Sequence, residues 1–159
     1  MDALQPYRVA IEPAWIDYNG HLRDAYYAVA FSLAVDDVMD QLGLDADYRA
    51  RTRGTLYTLE MHLHFLHEIK QADALALRSY VLDCDRKRIL LAGVFERGAT
   101  GAPAAVAEAM LLHVIQNDEP ASAPFSAATE ELLQHLQRAA AASWPADLPR
   151  SRTLAIRRS

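Results

Sequence analysis

The sequence predicts an α+β domain, and three features of its patterning carry that prediction. One long helix-period apolar run precedes most of the strand-period runs. The strand-like runs succeed one another with connections of only a few residues. A helix with so wide an apolar face, lying ahead of most of its sheet, has to be covered by that sheet.

The first element in chain order is PYRVAIE (6–12), which suits an edge strand. In WIDYNGHLRDAYY (15–27), the pair Asn19-Gly20 taken alone suits a tight hairpin turn, because both residues tolerate positive φ. The residues after Gly20 point elsewhere. Tyr27, Phe31, Ala34, Val35, Val38 and Leu42 recur at helical spacing, whereas Ser32, Asp36, Asp37, Asp40 and Gln41 fall mostly elsewhere on the wheel. Asn19-Gly20 therefore opens a helix, with Asp24 expected as its N-cap and Gly43 as its stop.

Residues 45–53 suit a short polar helix or loop, and beyond them the period changes to two. Tyr57, Leu59, Met61, Leu63 and Phe65 alternate with Thr58, Glu60, His62, His64 and Leu66, as in a strand with one apolar and one polar face. Three more strands are expected at 74–85, 88–98 and 102–116, and the short connections at 85–87 and 98–101 make them antiparallel neighbours. A second amphipathic helix is expected at 126–142, capped by Ser126 or Thr129. The expected division is one domain over 1–142 and a Pro/Arg-rich tail over 143–159, loosely held or docked on a partner.

Composition narrows the function. With 159 residues, 52% apolar and 23% charged, the chain has the balance of a globular domain with a proper core. A net charge of −5 gives no case for nucleic acid or an anionic membrane surface as partner. No apolar run approaches the ~20 residues of a membrane span, and the first residues lack the pattern of a signal peptide. A single cysteine, Cys84, excludes an intramolecular disulfide and a cysteine-based zinc site. A cytoplasmic location is expected.

WIDYNGHLRDAYY, TLEMHLHFLHEIKQAD, LDCDRKRI and AVAEAMLLHV, in this order, resemble the acyl-CoA thioesterases of the 4-hydroxybenzoyl-CoA type. More narrowly they resemble the thioesterases of carnitine breakdown, which release glycine betaine from betainyl-CoA. The matching features are Asp17-Tyr18-Asn19-Gly20-His21, Glu60 with His62, Asp85 with Lys87-Arg88, and Ala107-Glu108 with Leu112-His113. Arg23 stands where that pattern usually has Asn, and His64-Phe65 where an Arg-Tyr-like pair is common. The resemblance implies the hot-dog fold, a curved antiparallel sheet wrapped around one long helix. It also implies an acyl-CoA substrate, no cofactor or metal, and a homodimer or homotetramer with sites between chains. The alternatives are a thioesterase for another short-chain or aromatic acyl-CoA, a dehydratase of the same fold, and a non-catalytic protein that binds CoA esters.

Thioester hydrolysis needs a group to deliver water or attack the carbonyl carbon, and donors for the oxyanion that forms. In the resemblance Asp17 is the catalytic carboxylate, as base or nucleophile, and the N-terminus of the next helix polarises the carbonyl. The bland alternative makes Asp17 a turn residue bonded to its own backbone. Asn19 and His21 are catalytic candidates that orient water or substrate, or shape the loop, and Gly20 allows close backbone approach. Asp36 and Asp37 on the helix are rival acids, more simply read as a solvated or dimer-contact face. Glu60 and His62 are substrate-facing candidates. With His64 and either His67 or His113 they could hold a metal, but alternation alone puts polar residues on an open strand face. Lys87 and Arg88 are the candidates to grip CoA phosphates, with Arg97, Arg150, Arg152, Arg157 and Arg158 as rivals. A betainyl group would favour an aromatic cage, for which Trp15, Tyr18, Tyr26, Tyr27, Tyr57 and Phe65 supply rings.

Overall fold

The computed structural model describes residue 1 and residues 3–156. Its elements are β1 (Tyr7–Val9), a 3-10 turn (Pro13–Trp15), α1 (Asp24–Gln41), α2 (Ala46–Thr52) and β2 (Gly54–Phe65). Then come β3 (Leu75–Cys84), β4 (Arg88–Arg97), β5 (Ala102–Ile115), β6 (Ala121–Ser122) and α3 (Ala127–Ser143). The strands form one curved antiparallel sheet in the order β1-β3-β4-β5-β2, with β6 added to β5. The expected α+β arrangement of a sheet around one long helix is what forms. The expected edge strand at 6–12 is only three residues long.

The inner face of the sheet packs on α1. Ala30, Phe31, Ala34 and Val38 are buried in one cluster with Leu77, Leu91, Phe95, Ala105, Ala107 and Leu111. The close approach depends on Gly93 of β4, where a Cβ would lie 2.7 Å from the Phe31 ring. The start of α1 differs from expectation. Arg23 is the N-cap residue without a side-chain cap, and Asp24 is the first helical residue, accepting from the Ala25 N–H at 2.8 Å. Hydrogen bonds within the loop from Trp15 to Arg23 set the entry instead of a side-chain cap.

β2 also departs from simple alternation. A bulge lies between Thr58 and Glu60, and a bulge adds one residue and shifts the faces of the strand. Met61, Leu63 and Phe65 fall on the α1 side, opposite Ala109, Ala107 and Ala105. Leu59 is left 55% exposed at the bulge, and Tyr57 pairs with Leu112 on the outer face. The single apolar face expected from Tyr57 to Phe65 thus begins only at Met61.

The outer face is covered by the chain's own tail. Trp144 and Leu148 pack with Tyr80, Val94 and Val106, while Leu154 and Ile156 pack with Leu82, Leu90 and Met110. Among them Glu108 is fully buried, and its carboxylate accepts from Arg150 Nε at 3.3 Å and from the Ser151 N–H. The tail is therefore laid on the sheet rather than loose, because its apolar side chains cover the patch that Tyr80, Leu82, Leu90, Val94, Val106 and Met110 form on the outer face. Among the described residues no helix is long and apolar enough to cross a membrane.

The Gly93–Phe31 contact makes a direct prediction. The Phe31 ring is wholly buried and has no room to retreat, so Gly93→Ala is expected to lower stability by about 1–3 kcal/mol. Urea unfolding of the two proteins side by side measures it.

Candidate active site

The stretch from Trp15 to Arg23 folds back on itself before α1 begins. Asp17 N–H donates to the His21 carbonyl at 2.9 Å, and Gly20 N–H donates to the Asp17 carbonyl at 3.0 Å. Gly20 turns the chain with φ of 81°, a conformation that favours glycine. Asp17 Oδ1 accepts from the Asn19 N–H at 2.8 Å and the His21 N–H at 3.1 Å. Arg23 N–H reaches back to the Trp15 carbonyl at 2.9 Å. The turn-residue reading of Asp17 and the chemical one are therefore compatible, since Oδ1 holds the loop and Oδ2 has no hydrogen-bond partner among the described residues. The His21 N–H bond leads in holding the Asp17 carboxyl below its ordinary value, against partial desolvation and with help from Asn19. Asp17 is ionised at neutral pH.

The loop is joined to the segment after β2. Leu22 N–H donates to the Ile69 carbonyl at 2.7 Å, and His21 bridges Lys70. This brings His21 Nε2 within 3.1 Å of Glu68 Oε2. Between the start of α1 and this segment lies a shallow, open cavity of about 260 Å³, lined by His21, Leu22, Asp24, Tyr27, Phe65, Leu66, His67 and Glu68. Phe65 meets Tyr27 edge-on, with ring centres 5.0 Å apart. Burial is the main influence that raises the Tyr27 hydroxyl above its ordinary value.

The other candidates are scattered. Trp15 and Tyr26 stack on each other at 5.3 Å, and the Tyr18 side chain is 94% exposed. Tyr57 faces outward, so of the six rings only Tyr27 and Phe65 line the cavity. Glu60 and His62 pair with Met110 and Glu108 on the outer face, and the His62 ring lies 4.4 Å from that of His64. Asp36 borders an open cleft with Arg49, and Asp37 accepts from Gln41 at 2.7 Å. His113 is buried, with Nδ1 on the Ala123 carbonyl and Nε2 on the Tyr48 hydroxyl. Among the described residues no group of three or more His, Cys, Asp or Glu is placed to hold a metal.

The basic hairpin tip sits at the far end of the sheet. Arg97 pairs with Leu75 and reaches the Glu68 carbonyl at 2.8 Å, whereas Arg88 pairs with Leu112. The ten residues of β4 separate these ends, a span of roughly 30 Å at the usual strand rise. Arg88 is bound by Asp85 through Nε at 2.8 Å, and Lys87 Nζ touches Ser122 Oγ at 3.1 Å. Burial alone would raise the Asp85 carboxyl, but the Arg88 side chain and the Lys87 and Arg88 N–H groups together hold it below its ordinary value. Of the rival cations, Arg150 is committed to Glu108, while Arg157 and Arg158 lie outside the described residues.

Sequence reasoning missed Glu68, Asp24 and His67 as cavity residues. They meet only where segments distant in the chain come together, and no local pattern marks them.

A curved antiparallel sheet wrapped around one long helix is the hot-dog arrangement of the thioesterases. The chain belongs to the Thioesterase-like superfamily, which matches residues 11–148, and this membership carries thioester hydrolysis as its reaction class. A betainyl-CoA thioesterase of Pseudomonas aeruginosa is 44% identical over 122 residues, 77% of this chain and 76% of that protein. A crystal structure from Pseudomonas putida KT2440, provisionally described as a thioesterase, is 37% identical with a TM-score of 0.76, covering 100% of this chain and 99% of that one. A Staphylococcus aureus protein solved in complex with CoA is 27% identical with a TM-score of 0.76, over 84% of this chain and 83% of that one.

The Asp17 bonds predict a pH signature in stability. A carboxyl that titrates lower when folded adds stability that is complete above its ordinary value of 3.8 and is lost as pH falls through the lowered value. Wild type is therefore expected to melt above Asp17→Asn at neutral pH, with the gap closing on acidification past 3.8. Melting curves across that range check it.

Proposed function

We propose that this chain hydrolyses betainyl-CoA to glycine betaine and CoA. The observation that carries the reading is the ionised Asp17, one hydrogen-bonded step from a small cavity of carboxylates and aromatic rings at the start of α1. The identity with a betainyl-CoA thioesterase supports the choice of substrate. Asp17 Oδ2 acts on the thioester carbon, directly or through a water, and CoA leaves as the thiolate. The positive end of the α1 dipole stabilises the oxyanion. Two first-turn N–H groups are already engaged, Ala25 by Asp24 and Tyr26 by the Arg23 carbonyl. The field of the helix and any remaining donor therefore supply that role. His21 positions the substrate from the cavity wall, and Asn19 and Gly20 hold the loop. Single-turnover hydrolysis in heavy-oxygen water tests the direct route, since label enters the Asp17 carboxyl only through a mixed anhydride that water opens at the aspartyl carbon.

The working unit in this reading is a cytoplasmic homodimer. β2 is an edge strand of 12 residues, and Leu59 stands 55% exposed along it and Leu66 38% exposed just beyond. A long exposed edge of this kind calls for a cover. A second copy paired antiparallel along β2 brings its Gly54 end beside this chain's Phe65 end. That carries the second copy's Lys87-Arg88 tip toward this chain's cavity, which the tip of the same chain cannot reach. CoA phosphates are then met across the interface, and Glu60 and His62 lie close to it.

CoA release followed with a thiol reagent is expected to show strong turnover of betainyl-CoA that falls to near background in Asp17→Asn. Separately inactive Asp17→Asn and Lys87→Ala/Arg88→Ala proteins, unfolded and refolded together, are expected to recover turnover, because mixed dimers hold one intact composite site. Recovery absent despite mixed dimers on native mass spectrometry overturns the shared site.

A further inference from the structure

We propose that Glu68 is the residue that selects a cationic acyl group, with the rings of Tyr27 and Phe65 forming the seat for a quaternary ammonium. The inference rests on the proposed hydrolysis of a betainyl ester and assigns the specificity of that same cavity.

A trimethylammonium head has no N–H to donate, so directional acceptors do little for it. It is attracted by aromatic faces and by carboxylates placed near without a fixed geometry. The cavity at the start of α1 offers both. Tyr27 is 4% exposed and fixed by the core, while Phe65 stands at 86° to it and is 54% exposed. Two aromatic walls thus meet at a right angle, one anchored and one open to a ligand.

The carboxylates differ in how far they are already committed. Asp24 Oδ1 accepts the Ala25 N–H at 2.8 Å. Glu68 reaches His21 Nε2 at 3.1 Å, and its side chain is 66% exposed. It therefore retains a charge that a ligand can use, on the wall opposite the entrance of α1. Among the described residues no lysine or arginine lines the cavity. Arg97, which donates to the backbone carbonyl of Glu68 at 2.8 Å, is not among the lining residues. A neutral acyl group of the same shape gains the aromatic contact but not the charge attraction, so Glu68 contributes through the difference between the two.

The test compares betainyl-CoA with tert-butylacetyl-CoA, an isostere in which carbon replaces the quaternary nitrogen. Glu68→Gln retains an oxygen that can accept from His21 and removes only the charge. Wild type is expected to prefer the betainyl ester in kcat/KM, and the ratio between the esters is expected to fall on the order of ten-fold in Glu68→Gln. The loss should be carried by KM, and the wild-type preference should weaken with added salt. Equal losses on both esters overturn the proposal, because Glu68 then serves only to position His21. A full preference retained in Glu68→Gln also overturns it and leaves betainyl-CoA as the substrate. Wild type that turns over both esters alike overturns the inference and the betainyl reading together.

Discussion

The site depends on one short join, the hydrogen bond from the Leu22 N–H to the Ile69 carbonyl with the His21–Lys70 bridge beside it. Both Leu22 and Ile69 are buried, so the join is shielded from water and backed by apolar packing. It ties the entrance of α1 to the segment leaving β2, which are separated in the chain by the whole of α1, α2 and β2. Without it His21 and Glu68 have no reason to meet, and Tyr27 has no opposing ring. The cavity is a product of this tertiary contact more than of either segment.

Helix and sheet make that join possible. The register of α1 against the inner face is set where a bulky ring meets a residue without a side chain, Phe31 over Gly93. Once this contact seats the helix, its first turn faces the end of β2. The bulge at Leu59 has a matching effect in the strand: it returns Met61, Leu63 and Phe65 to the helix side after the first half has run on the other phase. A regular β2 in the register of its first half would turn Phe65 away from Tyr27.

Much of this was legible in the sequence. The apolar stripe from Tyr27 to Leu42 marked α1, and the change of period after residue 53 marked the sheet, because both signals are local and repeat over several turns or residues. The loop was legible because acid, amide, glycine and histidine stand together in it. The bulge was not, since Leu59 fits an alternating pattern as well as it fits a bulge. Nor was Glu68, whose role arises from a partner 47 positions earlier in the chain, His21. The aromatic residues were visible as a set, but only packing could divide them into a stacked pair at Trp15 and Tyr26 and a cavity pair at Tyr27 and Phe65. The tail's Pro and Arg content concealed Trp144, Leu148, Leu154 and Ile156, whose apolar side chains decide where it lies.

The tail also bears on the order of assembly during synthesis. Translation delivers residues 144–156 after every strand of the sheet, so a growing chain has β4 and β5 paired while Leu90, Val94, Val106 and Met110 are still open to water. Glu108 in that interval is a solvated carboxylate on a bare strand, and it becomes a buried one only when Arg150 and Ser151 arrive. Residues 144–156 thus close a surface that the nascent domain exposes until they emerge, and the interval before they arrive is when that surface is most open to chaperones and to misassociation.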